Sequence, residues 1–126
     1  MSELVIQTAE NRTAFVPGQE IAGQVSWTLD KQPDSLELRL IWYTRGKGTT
    51  DQETVHVIAF DSPKLQDQRE FRLTLPEGPY SFSGKLISLI WALELVALPG
   101  KEQARLEIVV APNAVEVTLH AAPVSA

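Results

Sequence analysis

The sequence predicts an all-β protein, an antiparallel two-sheet β-sandwich. Three observations carry that prediction. Apolar and polar residues alternate at period two in segment after segment. Short clusters rich in Pro, Gly, Asp and Ser separate those segments. The three tryptophans, Trp27, Trp42 and Trp91, fall on the apolar register of three different segments. Each ring can bury on the order of 200 Å², enough to centre a core between two layers.

The elements follow in order. "ELVIQT" opens the chain as a strand. "EIAGQVSWTL" turns Ile21, Val25, Trp27 and Leu29 to one face, with Gln24, Ser26 and Thr28 opposite. "SLELRLIWYTR" sends Leu36, Leu38, Leu40 and Trp42 inward, and Glu37 and Arg39 outward. "ETVHVIAF" is a further strand. "EFRLTL" sets Phe71, Leu73 and Leu75 against Arg72 and Thr74. "QARLEIVV" aligns Ala104, Leu106, Ile108 and Val110, and "VEVTL" aligns Val115, Val117 and Leu119. Turn signals lie between them in "DKQPDS", "RGKGTTD", "DSPKLQD", "PEGP", "PGKE" and "APN". The count is about eight strands, with no sustained 3.6-residue period.

The most apolar stretch, "SGKLISLIWALELVALPG", admits three readings. As a helix, Leu86 to Leu98 would rise only about 20 Å, short of the ~30 Å hydrocarbon core, so a membrane span is excluded on length. Its Leu, Ala and Glu suit a buried helix. Periodicity decides for a strand. Ile87, Leu89, Trp91, Leu93 and Leu95 are all apolar, whereas Ser88, Ile90, Ala92, Glu94 and Val96 are mixed. Turn chemistry brackets both ends.

Bulk properties narrow the function. The 126 residues suit one domain, 44% are hydrophobic and 21% charged, and the net charge is −5. No basic stripe matches a phosphate backbone, so no nucleic-acid partner is expected. The chain has no cysteine, which removes disulfides, thiolate metal sites and cysteine nucleophiles. The start "MSELVIQTAENRTAF" has acidic Glu3 where a signal peptide carries positive charge, and no apolar segment follows. These features predict a soluble, cytoplasmic protein.

Two segments resemble the arrestin-like superfamily. In "FVPGQEIAGQV", Phe15, Pro17, Gly18, Ile21, Gly23 and Val25 match an aromatic, a Pro-Gly turn and the entry to a long strand. In "PYSFSGKLISLIWALEL", Pro79, Ser81, Phe82, Gly84, Ile87, Leu89 and Trp91 match a Pro-x-Ser-aromatic-x-Gly turn that leads into another. The resemblance runs from roughly Val5 to Leu119. It implies an immunoglobulin-like sandwich without catalytic chemistry, used to hold other proteins in trafficking, signalling or sporulation control. Eukaryotic arrestins carry two such sandwiches in tandem; here one is expected, residues 1–120, with a frayed tail at 121–126. No Pro-Pro-x-Tyr motif is present, and neither receptor binding nor phosphate sensing transfers to any residue. The same residues have a physical reading. Pro17-Gly18 suits a tight turn, and Gly23 inside a strand marks a bulge or a close backbone approach.

Candidate chemical sites are few. "TRGKGTTD" lacks the first glycine of a phosphate loop, since Ile41 stands there, and Gly48 rather than Ser or Thr follows Lys47. It reads as a hairpin loop with Gly46 and Gly48 at positive φ. His56 and His120 are surface residues without metal-ligand spacing. The serines read as turn or outward residues, with no nucleophile elbow. Asp51, Glu53 and Asp61 read as loop and edge charges rather than a calcium or acid–base site. No catalytic residue, metal or cofactor is expected.

A partner surface is the remaining candidate. Ile41 and Tyr43 on one strand, and Ile90 and Val96 on another, are apolar on outward registers. In an immunoglobulin-like sandwich those strands are neighbours. The four side chains would then share an exposed apolar patch around Glu94, itself facing solvent or a cross-strand arginine. A protein partner, a homodimer, or cover by the "DSPKLQDQ" loop would each account for it, and self-association fits best. The expected role is a non-enzymatic interaction or scaffold module. The alternative is a small-ligand or carbohydrate-binding sandwich, which needs an exposed aromatic platform; a hydrolase is a distant third.

Overall fold

The computed structural model describes residues 2–46, 51–84, 86–100, 102–112 and 117–118. Its strands are β1 (Glu3–Thr8), β2 (Ala14–Phe15), β3 (Glu20–Thr28), β4 (Ser35–Gly46), β5 (Gln52–Phe60), β6 (Gln66–Thr74), β7 (Phe82–Ser83), β8 (Ile87–Leu98), β9 (Gln103–Val110) and β10 (Val117–Thr118). A 3₁₀ turn, Ala9–Asn11, follows β1. Among the described residues no α-helix forms, and no helix is long and apolar enough to cross a membrane.

The strands make two sheets. The smaller has the order β1-β3-β6, antiparallel throughout. The larger runs β10-β7-β8-β4-β5, with β9 also on β8 and β2 on β9. Its long pairings, β4–β8, β4–β5 and β8–β9, are antiparallel. Among the described residues, only the two-residue contacts β2–β9 and β10–β7 are parallel.

The core lies between the sheets and follows the alternation. Ile21, Val25 and Trp27 of β3, Leu36, Leu38 and Leu40 of β4, Phe71 and Leu73 of β6, and Leu89, Trp91, Leu93 and Leu95 of β8 are all buried in one cluster. Each such side chain contributes roughly 1.5–3 kcal/mol by leaving water. Trp42 is half-buried against that cluster and stands opposite Trp91 in the β4–β8 register. The two buried indoles also satisfy their N–H groups. Trp27 Nε1 donates to the Lys64 carbonyl at 2.7 Å, and Trp91 Nε1 to the Pro79 carbonyl at 2.8 Å.

The two motif segments have visible physical roles. Gln19 N–H donates to the Val16 carbonyl across Pro17-Gly18, and Gly18 has φ +79°, so the turn needs Pro at its second position and Gly at its third. Gly23 lets β1 approach: a Cβ there would stand 2.3 Å from the Gln7 carbonyl oxygen and 2.9 Å from Thr8 Cα. Ser81 clamps the end of the sandwich. Its N–H donates to the Val110 carbonyl at 2.7 Å, and its hydroxyl accepts from Val110 N–H at 3.0 Å.

Several expectations are corrected. β6 begins at Gln66, so the connection before it is shorter than "DSPKLQDQ" implied. Gly46 is not at positive φ. It ends β4 in extended backbone, where a Cβ would stand 2.1 Å from the Leu86 carbonyl oxygen. Ser81 is buried rather than outward, because Val110 meets both of its polar groups. Ile87 holds an inward register yet is exposed, as the first residue of β8. Lys47, Gly48, Val115, Leu119, His120 and the tail 121–126 lie outside the described residues.

Candidate interaction surface

The outward registers of β4, β8 and β9 form one continuous face of the larger sheet. Register sets its rows. Arg39, Glu94 and Arg105 stand side by side across the three strands, and Ile41, Ala92 and Glu107 form the next row. Tyr43 stands opposite Ile90, and Glu37 opposite Val96. The five residues singled out from the sequence, Ile41, Tyr43, Ile90, Glu94 and Val96, therefore do share one face.

Their exposure is the correction. Ile41 is 0% exposed, Tyr43 and Val96 7%, and Glu94 5%; only Ile90 is half-buried. The 61–68 segment is not the cover. It is tied to the other side of the molecule, where Trp27 and Gln32 donate to the Lys64 and Pro63 carbonyls and Leu29 N–H to that of Leu65. Ile41, Tyr43 and Ala92 instead pack together, with Ile90 against them. Arginines close over the aromatic ring: the Arg105 guanidinium lies 5.0 Å from the Tyr43 centroid and that of Arg45 5.7 Å. Long basic side chains can cover apolar surface in this way while their heads stay near water. The exposed apolar surface that favoured self-association is thus absent here.

What the face presents is a lattice of charges. Arg105 Nη2 donates to Glu94 Oε2 at 2.7 Å, and Arg39 Nη1 stands 3.9 Å from Glu94 Oε1. Arg39 also donates to Glu37 Oε1 through Nε at 3.1 Å and Nη2 at 2.8 Å. At the other end, the Tyr43 hydroxyl donates to Glu107 Oε2 at 3.3 Å and accepts from Arg45 Nη2 at 3.1 Å; Arg45 also reaches Glu107 at 3.5 Å. The hydrogen bond to Glu94 holds the Arg105 guanidinium above its ordinary pKa, against the opposing effect of burial. A carboxylate this buried is stable only because cations reach it, since an unpaired buried charge is strongly destabilising.

The sequence named Tyr43 and Glu94 as part of an apolar patch, but not their network with Glu37, Arg39, Arg45, Arg105 and Glu107. The available signal was charge on consecutive outward registers of three strands: Glu37 and Arg39, Glu94, and Arg105 and Glu107. Other candidates stay dispersed. His56 is exposed on β5, as are Asp51, Glu53 and Asp61 around it. Among the described residues no group of three His, Cys, Asp or Glu could hold a metal ion.

The fold is the arrestin-like two-sheet β-sandwich that the two motifs resemble. It is shared with the sporulation control protein Spo0M from Bacillus subtilis, whose crystal structure aligns with a TM-score of 0.59 at 19% identity, over 88% of this chain and 49% of that one. The chain thus spans about half the length of Spo0M, and at this identity the likeness shows the fold. A beta-glucosidase from Listeria innocua, solved with gluconolactone, aligns with a TM-score of 0.47 at 10% identity, over 92% of this chain and 16% of that one. No protein-family model and no curated protein matches the chain.

Proposed function

We propose that this chain is a non-enzymatic interaction or scaffold module of arrestin-like type, acting in the cytoplasm, and that it docks a protein partner on the outer face of the larger sheet. One observation carries the reading: Arg39, Arg45 and Arg105 stand on one face, each hydrogen-bonded to a neighbour among Glu37, Glu94, Glu107 and Tyr43. Preorganised charges of this kind reduce the ordering cost of binding and select partners by complementarity. The sporulation control in Spo0M's name fits a module that works by holding other proteins. The carbohydrate-binding alternative needs an exposed aromatic platform, and the three tryptophans all pack in or against the core.

The test is affinity capture from native lysate with wild type and with an Arg45→Glu, Arg105→Glu variant, each checked for a native tryptophan emission spectrum. A partner held by wild type and lost by the folded variant supports the reading. Capture that is specific but indifferent to the variant contradicts it.

A further inference from the structure

The edge of the larger sheet at β5 is a second surface. Among the described residues, β5 is hydrogen-bonded to β4 and to no other strand. Seven of its nine residues are exposed, Gln52 to Val57 together with Ala59, and Phe60 anchors the end in the core. Glu53 and His56 stand opposite the inward-pointing Trp42 and Leu40, yet both are exposed. The smaller sheet meets β5 at its far end, where Phe60 lies 6.1 Å from the Trp27 ring, but from Gln52 to Val57 the strand is open on both faces. An open edge offers a row of backbone donors and acceptors to another strand.

Edges are ordinarily guarded by charge, proline or bulges. The β6 edge of the smaller sheet is guarded, with Asp67, Arg69, Glu70 and Arg72 along it. β5 has Glu53 as its only charged side chain at neutral His56, and no Lys, Arg or Pro occurs from Asp51 to Ser62. Thr54, Val55, Val57 and Ile58 are β-branched, the residues that pair best across strands. The one guarding device is a bulge at Val55, where the register shifts between Leu40 and Ile41. Beyond it, His56 to Phe60 run in regular register.

Charge decides the occupant. Asp51 and Glu53 lie at one end of the strand and Asp61 at the other, all exposed. The nearby Arg69 guanidinium is already engaged by Asp67 and the Asp61 carbonyl. A second copy, added antiparallel about the middle of β5, would set Asp51 of each chain against Asp61 of the other, and like charges placed opposite destabilise a pair. A strand with basic ends removes that penalty and adds attraction, which the net charge of −5 reinforces.

We propose that the β5 edge takes an extended segment of a partner polypeptide by strand addition, a segment β-branched at its centre and basic at both ends. This surface is separate from the arginine lattice and does not depend on it.

The experiment titrates ¹⁵N-labelled protein with a synthetic peptide of alternating Val and Thr flanked by lysines. Controls are the same peptide with glutamate flanks and with a central proline. Saturable shifts and amide-exchange protection confined to β5 are expected, with affinity about ten-fold weaker for either control. A Glu53→Lys, Asp61→Lys variant, changed at exposed positions only, should reverse the preference towards the glutamate-flanked peptide. Arg45→Glu, changed at an exposed lattice position, should leave peptide binding unchanged, so that this surface and the lattice fail independently. No change at β5, equal affinity for all three peptides, or self-association through β5 in sedimentation without peptide would each overturn the proposal.

Discussion

Glu94 and Arg105 stand directly opposite one another on β8 and β9, and the arginine donates to a carboxylate that is almost fully buried. This pair joins the fold to the proposed surface: it closes the outer face of the sheet and fixes the guanidinium that a partner would meet.

Breaking the pair from one side leaves a buried carboxylate with, among the described residues, only the more distant Arg39. Arg105→Met is expected to lower stability by about 2 kcal/mol in urea denaturation. Adding Glu94→Met should recover most of that loss, because no buried charge remains and the outer face can pack as an apolar layer. Equal losses in the single and double variants would show that the pair is not what holds this face.

Gly23 is fixed by the approach of β1. Gly23→Ala places a methyl group within 2.3 Å of the Gln7 carbonyl oxygen, where backbone must move. A loss of about 2–3 kcal/mol is expected, as for other overpacked sites. Gly78→Ala is the control: a Cβ there meets nothing within 4 Å, and stability should hold. Equal denaturation midpoints for both variants would remove the close-approach account of the first motif.

Asp67 gives a pH dependence. The Gln68 backbone N–H, and then the Arg69 guanidinium, hold its carboxyl below the ordinary value of 3.8. The folded state therefore binds its proton less readily than the unfolded chain. Its contribution is complete above the unfolded pKa and is lost as pH falls through the folded one. Wild type should melt above Asp67→Asn at pH 6, and the gap should close at strongly acidic pH. A gap that widens on acidification would reverse the sign.

Much of the sandwich was legible because alternation is local. Apart from β5, each long strand carries its own apolar register, so Trp27, Trp91 and Leu93 could be placed inward without their neighbours. The two-residue strands β2 and β7 carry no such pattern and were not anticipated. Gly23 was readable as a bulge or a close approach, and the structure shows the second. Gly46 was not, because "RGKG" resembles a turn while the backbone that excludes a side chain there belongs to Leu86, far along the chain. The site was half legible for the same reason. Placing β4 beside β8 put Ile41, Tyr43, Ile90, Glu94 and Val96 on one face, but the side chains that close over Tyr43 and pair with Glu94 are Arg39, Arg45 and Arg105. Only the three-strand register brings those arginines together, and it is not a local property. Ser81 looked like a turn residue because its partner, Val110, lies at the far end of another strand.

The most direct measurement uses the absence of cysteine from the chain. Single thiols are introduced as Ile41→Cys, Val96→Cys and Val57→Cys, and their rates of modification by a water-soluble reagent are compared in the folded protein. If the lattice closes the outer face of the sheet, Ile41→Cys and Val96→Cys should react about a hundred-fold more slowly than Val57→Cys on the open edge, because they are reached only through local opening. Comparable rates at the three positions would mean an open apolar patch and would contradict the account.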